Sequence, residues 1–165
     1  MELILFINIL LFIFLFYFIL FLKIKVFELS SRIALKAKNY EELWKSLSYL
    51  ISTLYEKHKS NDTEQKNNNR AEYIKYYLLY LICYLPPINI EKSLIGNPQE
   101  VLSLYYSLPE ELQQTPELTF VYKLLILFNV APINYIRFTE LYKNANDNDK
   151  ILIQVLIIIV IIINK

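Results

Sequence analysis

Arg70 to Pro87 reads RAEYIKYYLLYLICYLPP, and Val101 to Ala145 reads VLSLYYSLPEELQQTPELTFVYKLLILFNVAPINYIRFTELYKNA. The first stretch predicts a helix opening at Asn69, with Glu72 at the third position as a capping-box partner. Its apolar residues (Tyr73, Tyr77, Leu78, Leu81, Ile82, Leu85) reach nearly all round, which predicts burial between neighbours. Pro86-Pro87 stops it, because the proline ring removes the amide donor and clashes with the preceding turn. Asn97-Pro98 opens a third helix as cap and first-turn proline, with Glu100 against the dipole. Val101, Leu104, Tyr105 and Leu108 mark its inner face. Pro109 ends it and starts a short turn, PEELQQ. Thr115-Pro116-Glu117 repeats the cap-proline-acid pattern and opens a helix to about Phe128, lined by Leu118, Val121, Leu125 and Phe128. A last helix runs from Pro132 or Asn134 to Asn144, with Tyr135, Phe138, Leu141 and Tyr142 for packing.

Upstream, Asn39 caps a helix to about Lys57, again with an acid, Glu42, three residues on. Leu43, Leu47, Leu50, Ile51 and Leu54 form its apolar face, flanked by Trp44 and Tyr55. SNDTEQKNNN lies within 59–69, which reads as a flexible loop. At the N-terminus (1–26), Leu3 to Leu22 is apolar but for Asn8, and about 20 such residues suffice to cross a bilayer as a helix. Lys23 and Lys25 follow, placing the C-terminal part in the cytosol if the run is an anchor. The run reads either as a transmembrane helix or as translated AT-rich non-coding sequence. The tail (146–165) carries Ile151 to Ile163, apolar apart from Gln154, for which helix, strand and translated non-coding sequence are all open.

The composition excludes several classes of function. One Cys removes intramolecular disulfides and Cys-based zinc clusters, and one His, His58, removes His-His metal sites. One Gly leaves no phosphate-cradling loop, and a net charge of +1 gives no whole-chain case for nucleic acid. The acid pairs Glu41-Glu42 and Glu110-Glu111 sit at helix starts, where they offset the dipole. Neighbouring side chains on a helix point different ways, so neither pair forms an acid/base couple. No cofactor and no enzyme activity are expected. Lys36, Lys38, Lys45, Lys57 and Lys59 read as a solvated face, and Tyr76, Tyr77 and Tyr80 as packing residues rather than a base-stacking platform.

Three phrases stand in order across 39–145. They are the Ala-Glu-aromatic helix (Ala71, Glu72, Tyr73, Tyr76, Tyr77), the turn and helix at Leu108, Pro109, Glu117 and Phe120, and the Asn-Tyr-x-Arg-Phe helix (Asn134, Tyr135, Arg137, Phe138). Their order and spacing resemble the Sac-three/GANP (germinal-centre-associated nuclear protein) family of messenger-RNA export scaffolds. Tyr73 replaces the usual Phe, and Thr139 stands where a second Phe is common.

Four or five short helices with proline-punctuated connections predict an all-α fold, with antiparallel helix pairs stacked as a short α-solenoid and an N-terminal hydrophobic helix ahead of it; the resemblance implies that the stack is the helical part of a PCI-like domain. It implies a non-enzymatic nuclear scaffold with two protein partners, a second helical-stack and winged-helix subunit and a small acidic peptide. RNA contact would come through that complex. The family's winged helix follows the Asn-Tyr-x-Arg-Phe helix, and the chain is expected to be a fragment lacking it. Such scaffolds carry soluble helical sequence upstream of Tyr40, which weighs toward the non-coding origin of Leu3 to Leu22. The alternative is a small membrane-anchored helical interaction protein with a cytosolic body.

Overall fold

The computed structural model describes residues 2–56, 68–84, 98–129 and 134–163. Every element among them is helical: α1 (Glu2–Lys36), α2 (Tyr40–Tyr49) passing into a π-helical turn (Leu50–Tyr55), α3 (Asn68–Tyr84), α4 (Pro98–Ser107), α5 (Glu110–Gln113), α6 (Pro116–Asn129), α7 (Tyr135–Asn144) and α8 (Asp147–Ile163). The Ile-rich tail, open between helix and strand on sequence, is helix. Asn146 caps it, its Oδ1 accepting the Asp149 amide at 2.8 Å.

Local signals place most of these ends. Asn39 and Asn134 cap α2 and α7 by accepting the amides of Glu42 (3.2 Å) and Arg137 (3.1 Å). Thr115 Oγ1 accepts the Leu118 amide at the start of α6. Only half of the expected capping box at Asn39 forms, because the Asn39 amide is already donated to the Ala34 carbonyl at 2.9 Å. That bond belongs to the end of α1. Lys38 donates to Leu35 and sits at φ 54°, so α1 closes in a Schellman turn with lysine in the left-handed position. The turn leaves no slack between α1 and α2, which pack side by side.

α3 is the central element. It touches α2, the π turn, α4, α6 and α8, and its buried residues (Ala71, Tyr73, Ile74, Tyr76, Leu78, Leu79, Leu81, Ile82) lie on all sides. Leu43, Leu47, Leu50 and Leu54 cover one flank, and Leu118, Val121, Leu124 and Leu125 another. α8 packs on both α3 and α1, bringing Leu152, Ile153 and Leu156 into the same core. From Leu20 onward α1 belongs to this core as well, through Leu20, Ile24, Ala34 and Leu35, and the helix has no break at residue 26.

Four expectations are corrected. Leu104 is not on the inner face of α4 but 43% exposed, since the helix turns Val101 and Tyr105 inward. Tyr135 is 53% exposed, and α7 packs through Phe138 instead. Asn69 does not cap α3. The helix begins at Asn68, and the Asn69 side chain donates to Glu28. Leu50 to Tyr55 is not regular α-helix: the Ser52 hydroxyl donates to the Ser48 carbonyl at 2.6 Å where the ladder widens into the π turn. The loop expected at 59–69 lies outside the described residues except at Asn68 and Asn69, which are helical. His58, Leu85, Pro86, Pro87, Asn97 and Pro132 also lie outside them.

A left-handed lysine costs about 1–2 kcal/mol, and glycine removes that cost while losing more freedom on folding. Lys38→Gly is therefore expected to stabilise the fold by about 0.5–1 kcal/mol. The gain should appear as a higher denaturant midpoint at constant slope. A lower midpoint would show that the Lys38 side chain contributes something the turn geometry does not reveal.

Candidate functional site

Two places concentrate chemistry. The first is a polar seam that joins α1, α3 and α8. Glu28 on α1 is buried, and its carboxylate accepts from Lys25 Nζ (3.0 Å), the Tyr55 hydroxyl (3.2 Å) and Asn69 Nδ2 (3.4 Å). Arg32 then donates to Glu72 at 3.0 Å. Glu72 accepts the Tyr76 hydroxyl at 2.6 Å, and the Tyr76 oxygen accepts from Asn148 on α8 at 3.0 Å. Below them Lys75 Nζ lies 2.8 Å from Asp149 Oδ1, with both side chains almost wholly buried. Burial outweighs the pull of Lys75 and holds the Asp149 carboxyl above its ordinary range.

Arg32–Glu72 is a different kind of pair. It is partly open to water, where an ion pair contributes at most about 1 kcal/mol. The seam therefore fixes how α1, α3 and α8 register more than it stabilises them. Its burial also pushes the phenols of Tyr55, Tyr73 and Tyr76 far up.

The second place is a groove bounded by the π turn, α3 and the α4–α5 corner. Ile51, Tyr55, Ile74, Tyr77, Leu104, Leu108 and Pro109 wall it, with Ser107, Glu56 and Arg70 as polar members. Arg70 lies over the Tyr55 ring at 5.5 Å. The cavity measures about 170 Å³, below the roughly 300 Å³ at which small-molecule pockets begin. It suits one or two side chains of a partner better than a substrate.

The structure brings some of the motif positions together and separates others. Tyr77 of the first phrase and Leu108 and Pro109 of the second meet at the groove. Glu72 and Tyr76 belong to the seam, and Tyr73 is buried beneath the Arg32 guanidinium. Glu117 lies in the first turn of α6, and Phe120 packs partly buried against the core. Phe138 is buried edge-on to Phe128 at 5.9 Å, while Asn134 is a cap and Tyr135 and Arg137 face solvent.

Trp44, Tyr77, Tyr80, Tyr84 and Tyr40 form a stacked aromatic ladder between α2 and α3. Burial raises the Cys83 thiol well above its usual value, so it stays protonated at neutral pH. Among the described residues no group of three or more His, Cys, Asp or Glu could hold a metal ion.

Sequence reasoning missed Glu28, Lys75, Asn148 and Asp149. A signal existed for two of them. Glu28 stands between Phe27 and Leu29, and Lys75 between Ile74 and Tyr76. A charge inside an apolar stretch that must be buried requires a partner. Comparison with protein-family models, with curated proteins and with solved structures gives no match for this chain.

Replacing Lys75 or Asp149 alone with Ala is expected to cost about 3–5 kcal/mol, since either change strands a buried charge. Lys75→Met combined with Asp149→Val should cost far less. Equal losses in single and double variants, by denaturant unfolding, would disprove the coupling. A second expectation concerns alkali. The buried phenols titrate near 10 once unfolded and well above that when folded, so their contribution is complete below pH ~10 and is lost as the pH rises further. Ultraviolet titration should show these tyrosines ionising together with helix loss. Independent titration of an intact fold would refute this.

Proposed function

We propose that the chain is a non-enzymatic helical scaffold of the kind it resembles, the Sac-three/GANP messenger-RNA export family. On this reading residues 39–145 form the short α-solenoid of antiparallel pairs typical of a PCI-like helical part. The groove at Tyr77, Leu108 and Pro109 is where a partner protein seats a side chain. The partners are a second helical-stack and winged-helix subunit and a small acidic peptide, in a nuclear complex that holds RNA collectively.

One observation carries the reading. Three phrases in family order lie on successive parts of one body, and the first two converge on a groove too small for a substrate but open to a partner. The arrangement of the rest supports it. Buried charges are consumed in holding helices together, so they are not the means of recognition.

Cross-linking and co-purification of the full chain from its own cells should recover a second helical subunit. Ser107→Arg puts a bulky cation at the groove from an exposed position, so the fold should tolerate it. Recovery should fall about tenfold or more, as for loss of an interface hot spot. Failure to recover a helical-stack subunit, or undiminished recovery by the variant, would refute respectively the family role and the groove.

A further inference from the structure

α1 has two halves with opposite surroundings. From Leu20 to Leu35 one face of it is core: Leu20, Ile24, Ala34 and Leu35 are buried, and Glu28 and Arg32 enter the polar seam, while Val26, Leu29 and Ile33 on the other face stay exposed. From Phe6 to Ile19 every side chain is exposed, and the large apolar ones range from 44% at Ile13 to 73% at Phe12. They point to all sides of the helix. A groove on another protein would cover one side and leave the rest in water. A second copy of α1 is also a poor cover, because Leu3 to Leu22 holds no Gly, Ala or Ser to allow the close approach by which helices pair in lipid.

Hydrocarbon covers every side at once. Leu3 to Leu22 at about 1.5 Å per residue extends roughly 30 Å, the thickness of a bilayer's apolar layer. Lys23, exposed, follows at once, where an ammonium group reaches headgroups, and Lys25, held by Glu28, adds a second positive charge on the same side. This is not the apolar helix of a soluble core, since only 11% of its most apolar window is buried. Nor does it behave as a leader to be removed. A cut between Phe21 and Glu28 would strip Leu20, and beyond Ile24 that residue too, from the core.

We propose that Leu3 to Leu22 spans a lipid bilayer and that α1 mounts the helical body rigidly on the membrane face carrying Lys23 and Lys25. The helix has neither proline nor glycine from Glu2 to Lys36, so no hinge separates span from core. This stands independently of the export-scaffold reading. The two are compatible, since the nucleoplasmic face of the nuclear envelope is topologically equivalent to the cytosol.

The test uses the full chain translated with microsomes. It should stay in the pellet through alkaline carbonate, at full length. Glu2→Cys, in a chain whose partly buried native thiol is removed by Cys83→Ser, should react with a membrane-impermeant maleimide only after the vesicles are opened. Phe12→Arg with Phe16→Arg changes two exposed positions (73% and 56%) that the fold does not need. It should cut the carbonate-resistant fraction by about tenfold or more, while the released chain keeps its helical circular dichroism. Release of the unaltered chain by carbonate, cleavage within α1, labelling of Glu2→Cys in closed vesicles, or a pellet unaffected by the two arginines would each overturn the proposal. So would a lipid-free oligomer of the unaltered chain as its stable form.

Discussion

Burial of α3 on every side is the constraint from which the rest follows. A helix in that position leaves its buried polar side chains no path to water, so those need partners on neighbouring helices. Lys75 is the sharpest case. Its ammonium is met by Asp149, which comes to it from α8, and Asp149 is held there at the cost of a carboxyl that burial disfavours. Tyr76 adds a second tie to the same helix through Asn148, and Glu72 a third connection to α1 through Arg32. The position of α8 is thereby specified by side chains that α3 could not otherwise bury.

Magnitudes separate driving force from specificity. A fully buried Leu contributes about 1.5–3 kcal/mol, and Leu43, Leu47, Leu79, Leu118, Leu124 and Leu125 are all fully buried. The partly exposed Arg32–Glu72 pair adds at most about 1 kcal/mol. Apolar burial therefore drives assembly. The seam selects one arrangement among the many that an apolar surface rich in Ile and Leu would tolerate.

Local chemistry made much of this legible in the sequence. Asn39, Asn134 and Thr115-Pro116 announce their helices because capping depends on residues three apart and on nothing distant. The all-round apolar pattern of α3 announced its central place for the same reason. What sequence missed was set by long-range partners. Tyr135 and Leu104 have the right spacing, but neighbouring helices approach the other side. Asn69 is not the cap because the helix already begins at Asn68, and its side-chain amide is drawn to Glu28, far away in the chain. The π turn, with the Ser52 back-bond at its start, buries Leu50, Leu54 and Tyr55 together. At the groove, Tyr77 and Leu108 were both singled out on sequence, but only folding shows that they meet.

The aromatic ladder has an optical consequence. The chain has one tryptophan, and Trp44 lies stacked 5.6 Å from Tyr77 and 5.3 Å from Tyr80, at the contact of α2 with α3. Its emission is thus a private gauge of whether those two helices are docked. Nearby phenols act as energy donors when the contact is closed, and the indole meets water when it opens. The molecule carries its own reporter at the joint on which its central helix depends.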